Sequence, residues 1–103
     1  MKLSVAQWLE TRNPPAPENL LARMNAEIVK LGLAESDVTP RALANAGASI
    51  LRSLDESGCT GRAAALDLLA ADALFTYAFE AAADSKPEIE EASLYVLEKV
   101  TTI

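Results

Sequence analysis

GRAAALDLLAADALFTYAFEAAAD, residues 61–84, is the stretch whose reading decides the fold. It holds no proline, its only glycine is Gly61, and nearly every other position is Ala, Leu, Phe or Tyr. That pattern predicts one helix over 61–84. At a rise of about 1.5 Å per residue, such a helix reaches roughly 36 Å, about the width of a small domain. Its polar residues do not fill a solvent face. Asp72, Thr76, Glu80 and Asp84 follow one another at i+4 as a narrow strip, and Asp67 lies away from it. A helix apolar over most of its circumference belongs in an interior. The segment is therefore expected to be the central helix, shielded from water on nearly all sides by its own chain or by a second copy.

The flanking segments read as further helices. Ser4 and Gln7 have capping-box spacing and open a helix over 4–12, with Val5, Trp8 and Leu9 on one face. Trp8 reads as a packing knob for that helix, with an exposed partner anchor as the other reading. Asn13–Pro17 is a stiff, proline-rich connector. Pro14 and Pro17 have PxxP spacing, and Pro17 is expected at the first position of a helix over 17–31. That helix carries an apolar stripe of Leu20, Leu21, Met24, Ile28 and Leu31, and Gly32 is suited to the left-handed residue that ends it. Leu33–Val38 is a polar connector.

Thr39 as N-cap and Pro40 at the first position open a helix over 40–57 that stops at Gly58. Leu43, Gly47, Ile50, Leu51 and Leu54 are expected to face inward, and Arg41, Asn45, Arg52 and Glu56 outward. Gly47 costs about 1 kcal/mol against alanine in mid-helix. Its setting in the small-residue run Ala46–Ser49 suggests close approach by the central helix. In the turn Gly58–Arg62, Thr60 is the expected N-cap, and Cys59 beside a helix N-terminus has the chemistry of an anion or thiol site. Ser85–Glu88 forms a second capping box before a helix over 86–102. Ile89, Ala92, Ser93, Val96, Val100 and Ile103 make the inner stripe of that last helix, widened by Leu94, Tyr95 and Leu97. The expected fold class is all-α: a single-domain bundle of about five helices spanning 1–103, with the Ala-rich helix 61–84 at its centre.

Composition narrows the function. Hydrophobic residues make up 50% of the chain but aromatic residues only 5%, so alanine carries much of the apolar count. At about 25 cal/mol per Å² of buried area, an Ala-rich core stabilises less than a Leu-rich one, and a second subunit is a common source of extra burial. Net charge is −6, concentrated in the second half: residues 55–103 carry three basic and ten acidic side chains. That balance argues against nucleic acid and anionic membranes, which need a basic stripe. A single cysteine allows no internal disulfide, and the N-terminal MKLSVAQWLE is too short an apolar run for a signal peptide. A cytoplasmic location is the expectation.

The chain has no histidine. This excludes Ser–His and Cys–His nucleophile pairs, the Glu-x-x-His motif of di-iron bundles and the usual zinc sets. The best carboxylate constellation is Asp72 and Glu80 with Thr76 between. Two helical turns, about 12 Å, separate the two carboxylates, too far for one metal ion or a shared proton. Ala71-Asp72-Ala73-Leu74-Phe75, continued to Phe79-Glu80, resembles the helix with a Gly-Asp-Ala-Leu-Leu core in all-helical isoprenyl diphosphate synthases. The aspartate-rich motifs of that family do not occur in this chain. The resemblance implies shared Ala-rich helical composition and assigns no family.

The expected function is a small, acidic helical interaction or structural module without catalytic residues, cofactor or metal, which pairs as a homodimer or with another protein. Trp8, Tyr95 and Leu97 are its candidate interface anchors. The alternative is a bundle that binds a small molecule or anion, a minor enzyme included, with a pocket near Gly47, Asp72, Thr76 and Glu80.

Overall fold

A computed structural model describes residues 3–58, 61–83 and 89–101, and over 89–93 the backbone alone. Five helices follow in order: α1 Val5–Glu10, α2 Glu18–Lys30, α3 Pro40–Ser57, α4 Arg62–Ala83 and α5 Ile89–Thr101. The described residues hold no β-strand, only an isolated bridge between Ser4 and Asp37. The all-α bundle is as expected. A radius of gyration of 13.0 Å equals the value of about 13 Å for a folded chain of some 100 residues.

Local chemistry sets the helix ends. Ser4 and Gln7 close a reciprocal capping box, at 3.1 Å from Ser4 N to Gln7 Oε1 and 3.2 Å from Gln7 N to Ser4 Oγ. The next free donors of α1 are satisfied from elsewhere in the chain. Val5 N–H donates to Ser36 O at 2.9 Å and Ala6 N–H to Ala34 O at 3.3 Å, while Val38 N–H donates to Leu3 O at 3.0 Å. The segment 33–38 thus does more than connect: it pins the start of α1 to the bundle and answers the donors a helix N-terminus leaves open. Gly32, at φ 71°, ends α2. Its N–H reaches Val29 O at 3.0 Å and Leu33 N–H reaches Ile28 O at 2.9 Å, the paired bonds of a Schellman turn. Thr39 Oγ1 accepts from Ala42 N at 3.0 Å, and Gly58 caps α3 at φ 60°.

Pro17 departs from expectation. It is the N-cap of α2, at ψ 147°, and not the first helical residue. An extended ψ leaves its carbonyl to accept from Leu21 N at 2.9 Å, and Glu18 becomes the first residue of the helix. The expected Thr60 cap, the Cys59 turn, the Ser85–Glu88 capping box, Ile103 and the side chains of the inner-stripe positions Ile89, Ala92 and Ser93 lie outside what is described.

The interior is organised around the α3–α4 pair. Ala42, Leu43, Ala44 and every residue from Ala46 to Ile50 are buried, so the first half of α3 is enclosed on nearly all sides. It packs on α2, α4 and α5, and its pairing with α4 is the most extensive in the bundle. Small side chains let this happen, because they bring helix backbones close. A Cβ built on Gly47 would stand 3.2 Å from two carbons of the Phe75 ring and 3.3 Å from Ala71 O. The expected close approach of the central helix at Gly47 is therefore met.

The expectation for α4 is met in its central place, since α4 packs on α2, α3 and α5, and unmet within the single chain in its shielding on nearly all sides. Its own chain covers one face, through Ala70, Ala71, Leu74, Phe75, Ala78, Ala81 and Ala82. Leu68, Leu69 and Phe79 are exposed beside Asp72, Thr76 and Glu80. Apolar composition all round the helix overstated its burial, because alanine is compatible with either side.

Candidate functional site

The residues singled out from sequence fall into two groups that do not meet. Gly47 is buried, and its notch is occupied by the Phe75 ring. Asp72, Thr76 and Glu80 lie on the exposed side of α4, with the Thr76 hydroxyl turned back to Asp72 O at 3.0 Å. A pocket formed jointly by Gly47 and this strip is not assembled.

Two of the three proposed anchors also serve the chain itself. Trp8 is 5% exposed. The Arg12 guanidinium lies 3.6 Å above its ring centroid, and Tyr77 meets it edge to face at 5.9 Å. This is the packing-knob reading, and it removes Trp8 as a surface anchor. Arg12 is held in place by Nε donating to Trp8 O at 3.3 Å and Nη2 to Thr11 Oγ1 at 3.0 Å, and Nη1 reaches Glu80 at 4.0 Å. Burial pushes the Tyr77 phenol above its ordinary value and the Glu80 charge adds to the rise, against the opposing pull of Arg12. Tyr95 is half-buried: its hydroxyl donates to Asn45 Oδ1 at 2.7 Å, and the Arg41 and Lys99 cations lie over its ring. It ties α5 to α3, and Asn45, expected to face outward, is half-buried by the same contact.

Leu97 remains exposed at 54%, beside Leu94 at 69%. Val100, expected on the inner stripe, is largely exposed, while Val96 behind it is buried. The three exposed residues recur at three-residue intervals, so they step round one side of α5.

A polar cluster that sequence reasoning missed lies between α2, α3 and α4. Glu27 is 2% exposed, although it is a carboxylate. Its Oε1 accepts from Arg23 Nη1 at 3.1 Å. Its Oε2 accepts from the Ser49 hydroxyl and lies 3.6 Å from Lys30 Nζ. Arg23 Nε donates onward to Asp67 Oδ1 at 2.6 Å. Burial alone would raise the Glu27 pKa, but the Ser49 and Arg23 hydrogen bonds and the Lys30 and Arg23 charges outweigh it and hold the group below its ordinary value. Burial likewise acts to lower the Arg23 pKa, and its Asp67 and Glu27 partners outweigh it and raise the pKa. A carboxylate with both oxygens occupied and its pKa depressed is a poor proton acceptor near neutral pH. Its role is to tie three helices together. The signal in the sequence was positional: Glu27 follows Met24 by three residues, on the inner side of α2, and Ser49 stands in the small-residue run of α3.

Among the described residues no three carboxylate or cysteine side chains gather as a metal site would require. No described helix is long and apolar enough to cross a membrane. No protein-family model, curated protein or solved structure matches the chain.

Proposed function

We propose that this chain is a helical interaction module without catalytic activity, and that it pairs with a second copy of itself through α5. The observation that supports this most is the exposed stripe Leu94, Leu97 and Val100 on a helix whose opposite side holds Val96 and Tyr95 against the bundle. Fully burying each such side chain is worth about 1.5–3 kcal/mol. Of the neighbouring charges, Glu98 flanks the stripe, and Lys99 lies over the Tyr95 ring on the side turned to the bundle.

The ligand-binding alternative has less behind it, since Gly47 and the strip Asp72, Thr76 and Glu80 lie on different sides of α4.

Sedimentation equilibrium tests the proposal. The wild-type chain is expected to show a concentration-dependent dimer, and the double variant Leu94→Glu, Leu97→Glu a monomer with an unchanged far-ultraviolet spectrum. A wild-type chain that stays monomeric at high micromolar concentration refutes it.

A further inference from the structure

We infer that the outer face of α4 is a docking surface for a basic amphipathic helix of another protein, distinct from the α5 stripe. The face carries two apolar ends. Leu68 and Leu69, 57% and 59% exposed, lie toward its start, and exposed Phe79 lies ten residues beyond Leu69. Ten residues of helix span about 15 Å, so a partner helix of roughly three turns reaches both ends at once. Between and beside these anchors stand the exposed carboxylates of Asp72 and Glu80.

The local cations leave those carboxylates to a partner. Asp72 makes no ion pair among the described residues. Arg12 reaches Glu80 only at 4.0 Å, with its guanidinium already stacked on Trp8 and bonded to Thr11. Arg62 stands at the far N-terminal end of the same helix. An apolar face interrupted by two negative charges suits a helix that presents leucine-like anchors with Lys or Arg between them, the groove-bound mode in which apolar anchors give affinity and charge gives selection. The same charges argue against a second copy on this face, because two such surfaces bring like charges together within a chain of net charge −6. They also repel anionic lipid.

A fluorescently labelled synthetic helix of Leu and Lys at heptad spacing, and its counterpart with Glu for every Lys, serve as probes by fluorescence anisotropy. The Lys peptide is expected to bind the wild-type chain, more weakly as salt rises, and the Glu peptide not to bind. Asp72→Lys with Glu80→Lys is expected to weaken binding at least tenfold, and Leu68→Ser with Leu69→Ser to do likewise. Leu94→Glu with Leu97→Glu is expected to leave it unchanged, so this surface stands or falls independently of self-pairing. Circular dichroism checks that each variant keeps its helices. The inference is overturned if the Lys peptide fails to bind, if both peptides bind alike, or if folded charge-reversed or serine variants bind as the wild type does.

Discussion

Arg23 on α2 donates to Asp67 on α4 at 2.6 Å while its other nitrogen holds the buried Glu27 carboxylate at 3.1 Å. One guanidinium therefore links a helix pair through one carboxylate and neutralises a second. Because Glu27 also accepts from Ser49, the three helices α2, α3 and α4 share one polar knot.

Breaking that knot from the inside is expected to be costly. Glu27→Ala removes a buried charge whose partners remain, for which the loss is about 3 kcal/mol, at the lower end of the range for buried pairs because Arg23 and Lys30 retain water. Ser49→Ala leaves one carboxylate oxygen short of a donor and is expected to cost about 1–3 kcal/mol. Urea unfolding of both variants, with the double variant closing the cycle, measures the coupling between them.

The pH dependence has a definite sign. The folded Glu27 pKa lies below the ordinary glutamate value of 4.5, so the unfolded chain binds the proton more readily. Its contribution is fully present above about pH 4.5 and is lost as pH falls through the folded value. Glu27→Gln is expected to flatten the stability profile below pH 4.5 relative to wild type, as read by thermal melts across the acid range. An unchanged slope means that another carboxylate governs the acid limb.

Gly47 sets a balance between propensity and space. Gly47→Ala gains about 1 kcal/mol of helix propensity, but the added carbon meets the Phe75 ring at 3.2 Å and the backbone oxygen of Ala71 at 3.3 Å. Overpacking of this kind costs about 1–3 kcal/mol, so the net effect is expected to be neutral to destabilising. In a Phe75→Leu background the ring is gone, and Gly47→Ala is expected to become less harmful or to stabilise. Chemical denaturation of the four chains tests this.

Trp8 is expected to report folding and not assembly. Its emission should be that of a buried indole, insensitive to dilution even where the chain self-associates. Trp8→Ala should cost about 3–5 kcal/mol, as for other buried large aromatics, since it removes the surface shared by Arg12 and Tyr77. A Trp8 spectrum that shifts on dilution contradicts its placement in the core.

Much of this fold was legible because capping is local. Ser4 with Gln7, Thr39 with Pro40, and the glycines at 32 and 58 act within a few residues of themselves, and each ends or starts a helix where the sequence says it should. Which face of α4 is covered was not legible. Alanine on both sides gives no strong preference, so packing against α3 decided it, through Phe75 and the Gly47 notch. The burial of Glu27 was equally hidden, since a glutamate reads as surface until the packing of α3 brings Ser49 to it, opposite Arg23 one turn back on its own helix. Of the anchors named from sequence, Trp8 and Tyr95 were drawn inward by Tyr77, Arg12 and Asn45, and Leu97 was left outside.

The central claim is that the α5 stripe meets its own copy. A nitroxide placed at Glu98→Cys in a Cys59→Ser background stands beside the stripe without replacing one of its leucines. Pulsed dipolar spectroscopy of the singly labelled chain then reads only distances between molecules. A population at about 20 Å or less, roughly two helix diameters, abolished by Leu94→Glu with Leu97→Glu, is the predicted result. A decay showing no intermolecular coupling at concentrations where the chain is folded contradicts it.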